Sequence, residues 1–202
     1  KVMLNTPLDA DEAKAMGADV VIVATGSMPD GNAFQRAMPE HDSLPGIERG
    51  NVATAEDVMA RIARPGKRVL LLDETANWKG AGTALTLAEA GHEVVMVTPA
   101  PAVMAEMART NADLRLRTRL RELGVKMLTE TVIREWHGNG ATVQPFGGKA
   151  ERIEADTLVV AATNVSERSI GDELGAPMIG DAVAARNAAM AIYEGRKLAL
   201  GL

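Results

Sequence analysis

Cysteine is absent from the 202 residues. Its absence excludes disulfides, iron–sulfur ligation and thiolate catalysis by this chain's own side chains. Aromatic residues make up only 2%, so a core has to be assembled from Ala, Val, Leu, Ile and the 11 Met. Three scattered histidines, His41, His92 and His137, give no spacing suited to a metal site. No apolar run approaches the roughly 18 residues of a membrane span, and no signal peptide is visible. The expectation is a cytoplasmic protein with no membrane partner. A net charge of −5 argues against nucleic acid. What is present is a hydrophobic content of 47%, sufficient for a packed core, in a length suited to one domain or one and a half. The chain opens on Lys1 within a strand-like pattern and reads as a piece of a longer protein.

Val2 to Leu4 reads as a short strand. Asp9, Asp11 and Glu12 suit the first turn of a brief helix ending at Gly17, because acids favour a helix N-terminus. Val20 to Val23 is a continuous β-branched run, the pattern of a strand buried on both faces, and Ala24-Thr25-Gly26 ends it. Ser27 to Gly50 is polar, rich in Pro and Gly and without periodicity, and reads as a linker between domains. Thr54, with Asp57 three residues on, caps a helix predicted over 55–63 that stops before Pro65-Gly66.

Lys67 to Thr98 has the layout of a βαβ unit: Val69 to Leu72, a helix over about 80–90, Gly91, then Val94 to Val97. A helix follows over about 113–123, with Leu116, Leu120 and Leu123 on one face, and then a strand over 125–128. Thr131 to Trp136 and Ala141 to Phe146 form antiparallel strands about an Asn-Gly turn, with Ile153 in a third. Thr157 to Ala161 is another buried strand, Pro177 to Gly180 the last one, and Asp181 starts an Ala-rich helix running to about Leu200. The strand over 157–161 echoes the one over 20–23: each has an acid before it and small residues after it. Two similar closing strands imply two similar sheets, one complete and one built from both ends of the chain. The fold class is therefore α/β: a Rossmann-like three-layer domain, with a parallel sheet and a small antiparallel ribbon, inserted into a partial second domain.

Three motifs in order, Asp19 to Gly26, the βαβ unit, and Met178-Ile179-Gly180-Asp181-Ala182, resemble the flavoproteins in which an NAD(P)-type domain is inserted into an FAD-type domain. Leu87 to Val94 and Ser166 to Leu174 are similar to the C-terminal region of trimethylamine dehydrogenase, its amine-demethylating relatives and 2,4-dienoyl-CoA reductase. The resemblance implies a split FAD/ADP-type domain at 1–50 and 171–202 and an NAD(P)-type domain at 51–170. It implies ADP or FAD held at Ala24, Thr25, Gly26, Gly180, Asp181 and Ala182. It further implies FMN and a 4Fe–4S cluster in an N-terminal barrel outside this chain, that barrel as a partner, and a protein electron acceptor. The alternatives are an NAD(P)H-dependent reductase of the 2,4-dienoyl-CoA type and a non-catalytic docking module.

The residues suit part of this. Gly26 lets a nucleotide approach the backbone beyond a strand end. Gly180-Asp181, before a helix, offers N–H groups to phosphate and a carboxylate to sugar hydroxyls; an Asp there is equally an N-cap. After Leu72, however, the glycine fingerprint is replaced by Asp73 to Lys79. Its carboxylates would repel a pyrophosphate and Trp78 would fill the space. Thr98 stands where NAD binders carry an acid. NAD(P) is therefore not expected in the inserted domain. Arg109, Arg115, Arg117, Arg119 and Arg121 read as a solvated helix face or, more sharply, as a docking face for an acidic partner. No catalytic residue is evident.

Overall fold

The computed structural model describes residues 1–202. In chain order its elements begin with α1 (Ala10–Ala15), β1 (Ser27–Met28), β2 (Val52–Thr54), α2 (Ala55–Met59), β3 (Arg68–Asp73), α3 (Trp78–Glu89) and β4 (Glu93–Val97). They continue with α4 (Ala112–Glu122), β5 (Lys126–Leu128), β6 (Thr131–Trp136), β7 (Gly140–Pro145) and β8 (Glu151–Glu154). The last are β9 (Thr157–Ala161), β10 (Val165–Ser166), α5 (Ser169–Leu174) and α6 (Ala188–Ala199). Contacts divide the chain into a continuous unit, Pro29–Thr163, and a split unit made of Lys1–Met28 and Asn164–Leu202.

The continuous unit is built on a five-stranded parallel sheet of order β2-β9-β3-β4-β5. Parallel strands need cover on both faces, which is why the central ones read as unbroken apolar runs. Val69 and Leu71 face a cluster holding Leu87 of α3 with Leu116 and Leu120 of α4. Leu70 and Leu72 face the other way, onto Ile133, Trp136 and Val143 of the antiparallel β6-β7-β8 ribbon. All four β3 side chains are at most 1% exposed, a burial worth about 2 kcal/mol each. Helices, sheet and ribbon thus form three layers. The turn residues behave as their chemistry requires: Asn77 caps α3 by accepting from the Lys79 N–H, and Gly91 after it is left-handed at φ +91°.

Residues 29–50 do not form a linker. They pack with the continuous unit, placing Ala33 and Leu44 in the ribbon-side core. Gln35 clamps the Ile133 backbone, accepting from its N–H at 2.9 Å and donating to its carbonyl at 2.7 Å. The α2 helix ends at Met59, short of the predicted 63, because Arg61 turns left-handed at φ +61°.

The split unit is less regular. α1 carries a complete capping box between Asp9 and Glu12. β1 and β10 pair antiparallel, Ser27 with Ser166 and Met28 with Val165, so 165–166 belong with the split unit and not with the inserted domain. Residues 2–4 form no strand. The strand expected over 20–23 is reduced to one parallel bridge, Val23 to Met178, with Val20 49% and Ile22 39% exposed. Residues 177–180 contribute only that same bridge. Asp181 does not start the last helix. It lies in a 3-10 turn, Gly180–Ala182, and α6 begins behind Asn187, whose side chain accepts from the Met190 N–H.

Candidate functional site

Ala24, Gly26, Gly180 and Asp181 come together in the split unit, on the wall of a cavity of about 450 Å³. Gly26 is left-handed at φ +81°, and a Cβ built on it would meet nothing within 4 Å. The backbone there is open to whatever enters. Gly180 is also left-handed, at φ +66°. Asp181 accepts from the Ser27 hydroxyl on Oδ2 and from the Arg186 N–H on Oδ1, each at 3.2 Å. Each oxygen keeps lone-pair capacity for a further donor. The Gly180 N–H is taken, at 2.8 Å, by Glu194 Oε2. Arg186 Nη2 donates to the other oxygen of Glu194, and these two donors hold the Glu194 carboxyl below the usual carboxylate range. Arg186, Asn187 and Ala188 also line the cavity; they were missed in the sequence, where only an Arg before an Asn cap signals them. Thr25 and Ala182 do not reach it. The Thr25 hydroxyl donates to the Glu167 carbonyl, and Ala182 is fully buried.

In the continuous unit, the position of a dinucleotide's pyrophosphate would be the loop from β3 to α3, at the carboxyl end of the central strand. Asp73 occupies it. Its Oδ1 accepts from the Thr75 N–H at 3.0 Å, the Thr75 hydroxyl at 2.7 Å and the Ala76 N–H at 3.0 Å. The residue is 0% exposed and its Oδ2 has no partner. Beside it, Glu74 is almost wholly buried and leans on Arg36, 3.5 Å from its Nε. Lys79 Nζ donates to the Ala162 carbonyl after β9 at 2.7 Å and meets Glu56 at 2.6 Å. The gap between the ends of β3 and β9 is filled by the protein itself. Trp78, expected to fill it, is instead 54% exposed and stands beside Met59 in a shallow groove between α2 and α3. Thr98 is sealed into the β4 end, accepting from the Thr131 N–H through its carbonyl. A larger cavity, of about 710 Å³, lies at the opposite ends of the strands, beside Arg68, Glu93 and Lys126. Open α/β sheets bind ligands at carboxyl ends, not there.

Residues 1–190 match the pyridine nucleotide-disulphide oxidoreductase family. The chain belongs to that family. It is 26% identical to a dimethylamine dehydrogenase of Hyphomicrobium sp. (strain x), over 96% of this chain and 30% of that protein. It is 28% identical to a probable N-methylproline demethylase of Rhizobium meliloti (strain 1021), over 96% of this chain and 32% of that protein. Among solved structures, histamine dehydrogenase from Rhizobium sp. 4-9 superposes with a TM-score of 0.90 at 25% identity, covering 98% of this chain and 33% of that one. The chain thus spans about a third of the length of these relatives. No helix is long and apolar enough to cross a membrane.

For a member of this family, two buried carboxyls at the β3 end are a cost to stability. Burial raises Asp73 above its ordinary value, against the hydrogen bonds from Thr75 and Ala76 and the charge of Lys79. Burial likewise raises Glu74, against Arg36. A carboxyl raised in the folded state binds its proton more tightly there than when unfolded. Its contribution is therefore full below the unfolded value and is lost as pH rises through the folded one. Asp73→Asn keeps the accepting oxygen and removes the charge. We expect its urea midpoint to exceed that of the wild type at pH 8, and the gap to close on acidification to pH 4. A gap that widens on acidification would refute the assignment.

Proposed function

We propose that this chain is the nucleotide-binding portion of a flavin-dependent oxidoreductase of the amine dehydrogenase or demethylase type. It holds ADP or FAD in the split unit and takes no NAD(P) in the continuous one. The observation that carries the first part is the open backbone at Gly26, on a cavity that also presents Gly180, Asp181 and Arg186. The donor set fits the ligand. Glycine backbone admits close approach of a phosphate chain, Arg186 brings a positive charge to the wall while its Nη2 serves Glu194 and its Nε the Ala184 carbonyl, and Asp181 suits the hydroxyls of a ribose or ribitol. Small side chains, Ala24, Ala188 and Ala191, leave room for a ring system. A bound flavin would supply two-electron acceptance; an ADP would supply only an anchor.

The names of the relatives, dimethylamine dehydrogenase and N-methylproline demethylase, support oxidation of an N-methyl amine in the remainder of the full-length protein. There FMN and a 4Fe–4S cluster would do the chemistry and pass electrons to a protein acceptor. This chain's own residues bind and position; none is assigned a catalytic role. The filling of the β3 end by Asp73, Glu74 and Lys79 favours this reading over a reductase fed by NAD(P)H.

The test uses the full-length protein. Wild type should retain ADP or FAD through purification. Gly26→Val, which puts a branched side chain on left-handed backbone and into the cavity, should lower that retention by roughly tenfold or more, the equivalent of about 1.4 kcal/mol. Equal retention by both proteins would remove the split unit from the binding role. Saturable flavin reduction by NADPH would favour the reductase instead.

A further inference from the structure

We propose that the loop joining β3 to α3 is an anion-binding nest whose resident anion is the chain's own Asp73 carboxylate, standing where a dinucleotide's pyrophosphate would otherwise lie. The inference deepens, and rests on, the reading that the continuous unit takes no NAD(P).

The donors come first. Two successive backbone N–H groups, of Thr75 and Ala76, and the Thr75 hydroxyl converge on one oxygen, Oδ1 of Asp73. Consecutive N–H groups turned to a common point are how a loop binds an oxyanion. The turn requires a left-handed residue, and Ala76 adopts φ +48°, conventionally a glycine's conformation. Ala76 is held there through its carbonyl as well, which accepts from the Glu106 N–H at 3.1 Å.

Room for the anion comes from α3. Gly80 lies in its first turn, and a Cβ on Gly80 would sit 2.3 Å from Asp73 Cγ, 2.4 Å from Oδ1 and 2.7 Å from Oδ2. A glycine that lets an anionic group come up against a helix N-terminus is what a dinucleotide fingerprint provides. Here the group that comes up is a side chain. It is fully buried, and Oδ2, which the donors do not reach, is left without a partner.

The occupant is tethered, so it holds the nest without the entropy that a free phosphate loses on binding. Glu74 adds a second buried carboxyl beside it, held by Arg36 at 3.5 Å. The crevice at the sheet's switch point is then closed by two contacts, one from the loop, Glu74 N–H to the Ala161 carbonyl at 3.0 Å, and one from the first turn of α3, Lys79 Nζ to the Ala162 carbonyl. The nest keeps its chemistry and has changed its ligand. Removing the tethered anion should return the site to oxyanions of the phosphate class.

The experiment compares the full chain as wild type, Asp73→Asn and the double variant Asp73→Gly with Glu74→Gln. Inorganic pyrophosphate is the probe, and the amide resonances of Thr75 and Ala76 are the readout. Wild type and Asp73→Asn, both of which keep an acceptor in the nest, should show no saturable shift. The double variant should show one at both amides, with an apparent affinity at least roughly tenfold above the wild type. A folded double variant whose two amides ignore pyrophosphate overturns the inference and leaves the reading beneath it standing. Saturable NADH binding by wild type at these amides overturns both. Should the double variant not fold, the wild type decides. Thr75 and Ala76 amides that exchange with deuterium as slowly as those of β3 support the internal anion, and rapid exchange at either one overturns it.

Discussion

Gly80→Ala is expected to destabilise the continuous unit by about 1–3 kcal/mol, the cost of forcing an extra methyl into a filled site. The sign is the informative part. In an ordinary helix interior the same change gains about 1 kcal/mol, because alanine loses less backbone entropy than glycine. Here the new Cβ would fall within 2.7 Å of three atoms of the Asp73 carboxyl group. That group is fastened by three hydrogen bonds and cannot swing aside. Making the change in an Asp73→Ala background should abolish most of the cost, because the obstacle is gone. A double-mutant cycle on urea midpoints measures the coupling. A Gly80→Ala variant more stable than wild type would mean that the carboxylate is not where the structure places it.

Trp136→Ala carries the other large effect, a loss of about 3–5 kcal/mol in urea unfolding followed by far-UV circular dichroism. Trp136 is among the largest fully buried side chains in the chain, and its ring fills the space between sheet and ribbon. It also fastens the segment before β2. The indole N–H donates to the Gly50 carbonyl at 2.8 Å, the main-chain N–H to the Pro45 carbonyl at 2.9 Å, and Arg49 returns a bond to the Trp136 carbonyl at 3.0 Å. Alanine keeps both main-chain bonds but removes the indole's bond to Gly50 and its packing, and should therefore destabilise the unit and raise protease cleavage at residues 44–50. Trp136→Phe, which keeps most of the burial but leaves the Gly50 carbonyl unserved, should lose about 1–3 kcal/mol. If Trp136→Ala leaves the protease pattern unchanged, the main-chain bonds of residue 136 to Pro45 and Arg49 hold the segment without the indole.

These two sites mark where the sequence was legible and where it was not. Strand β9 was read residue for residue, because an unbroken apolar run between an acid and small residues has few other uses. The hairpin β6-β7 is legible from its Asn-Gly turn, with β6 as expected and β7 running one residue earlier, over Gly140–Pro145. The 29–50 segment was misread because nothing local in it is periodic. Its fixings are single residues that reach far along the chain, such as Gln35 to Ile133, and no window of neighbours contains that information. Val20 to Ile22 failed in the opposite sense. Strand propensity reports a side chain suited to a pleated, half-buried surface, not the presence of a neighbouring strand. Val23 has one in Met178; Val20 and Ile22 remain substantially exposed.

At the candidate sites, residue chemistry was readable and position was not. Gly26 and Gly180-Asp181 could be named from strand-ending and turn-forming residues. The displacement of the last helix to Asn187, which brings Arg186 to the cavity, could not. Asp73 was legible as a carboxylate hostile to phosphate. That it would curl back to accept from its own loop depends on a left-handed alanine, which residue type does not announce.

The pairing of both ends of the chain in one unit also has a kinetic side. The Val23 N–H donates to the Pro177 carbonyl and the Val23 carbonyl accepts from the Ile179 N–H, and Ser27 pairs with Ser166, all across the whole sequence length of the continuous unit. Closing so long a loop in an unfolded chain is entropically costly, though the cost grows only slowly with length, and such high contact order slows folding. Once the continuous unit has formed, its ends, Pro29 and Thr163, belong to a compact body and not to a random coil. The split unit is then expected to fold second, and its cavity to be the last part of the molecule to take shape.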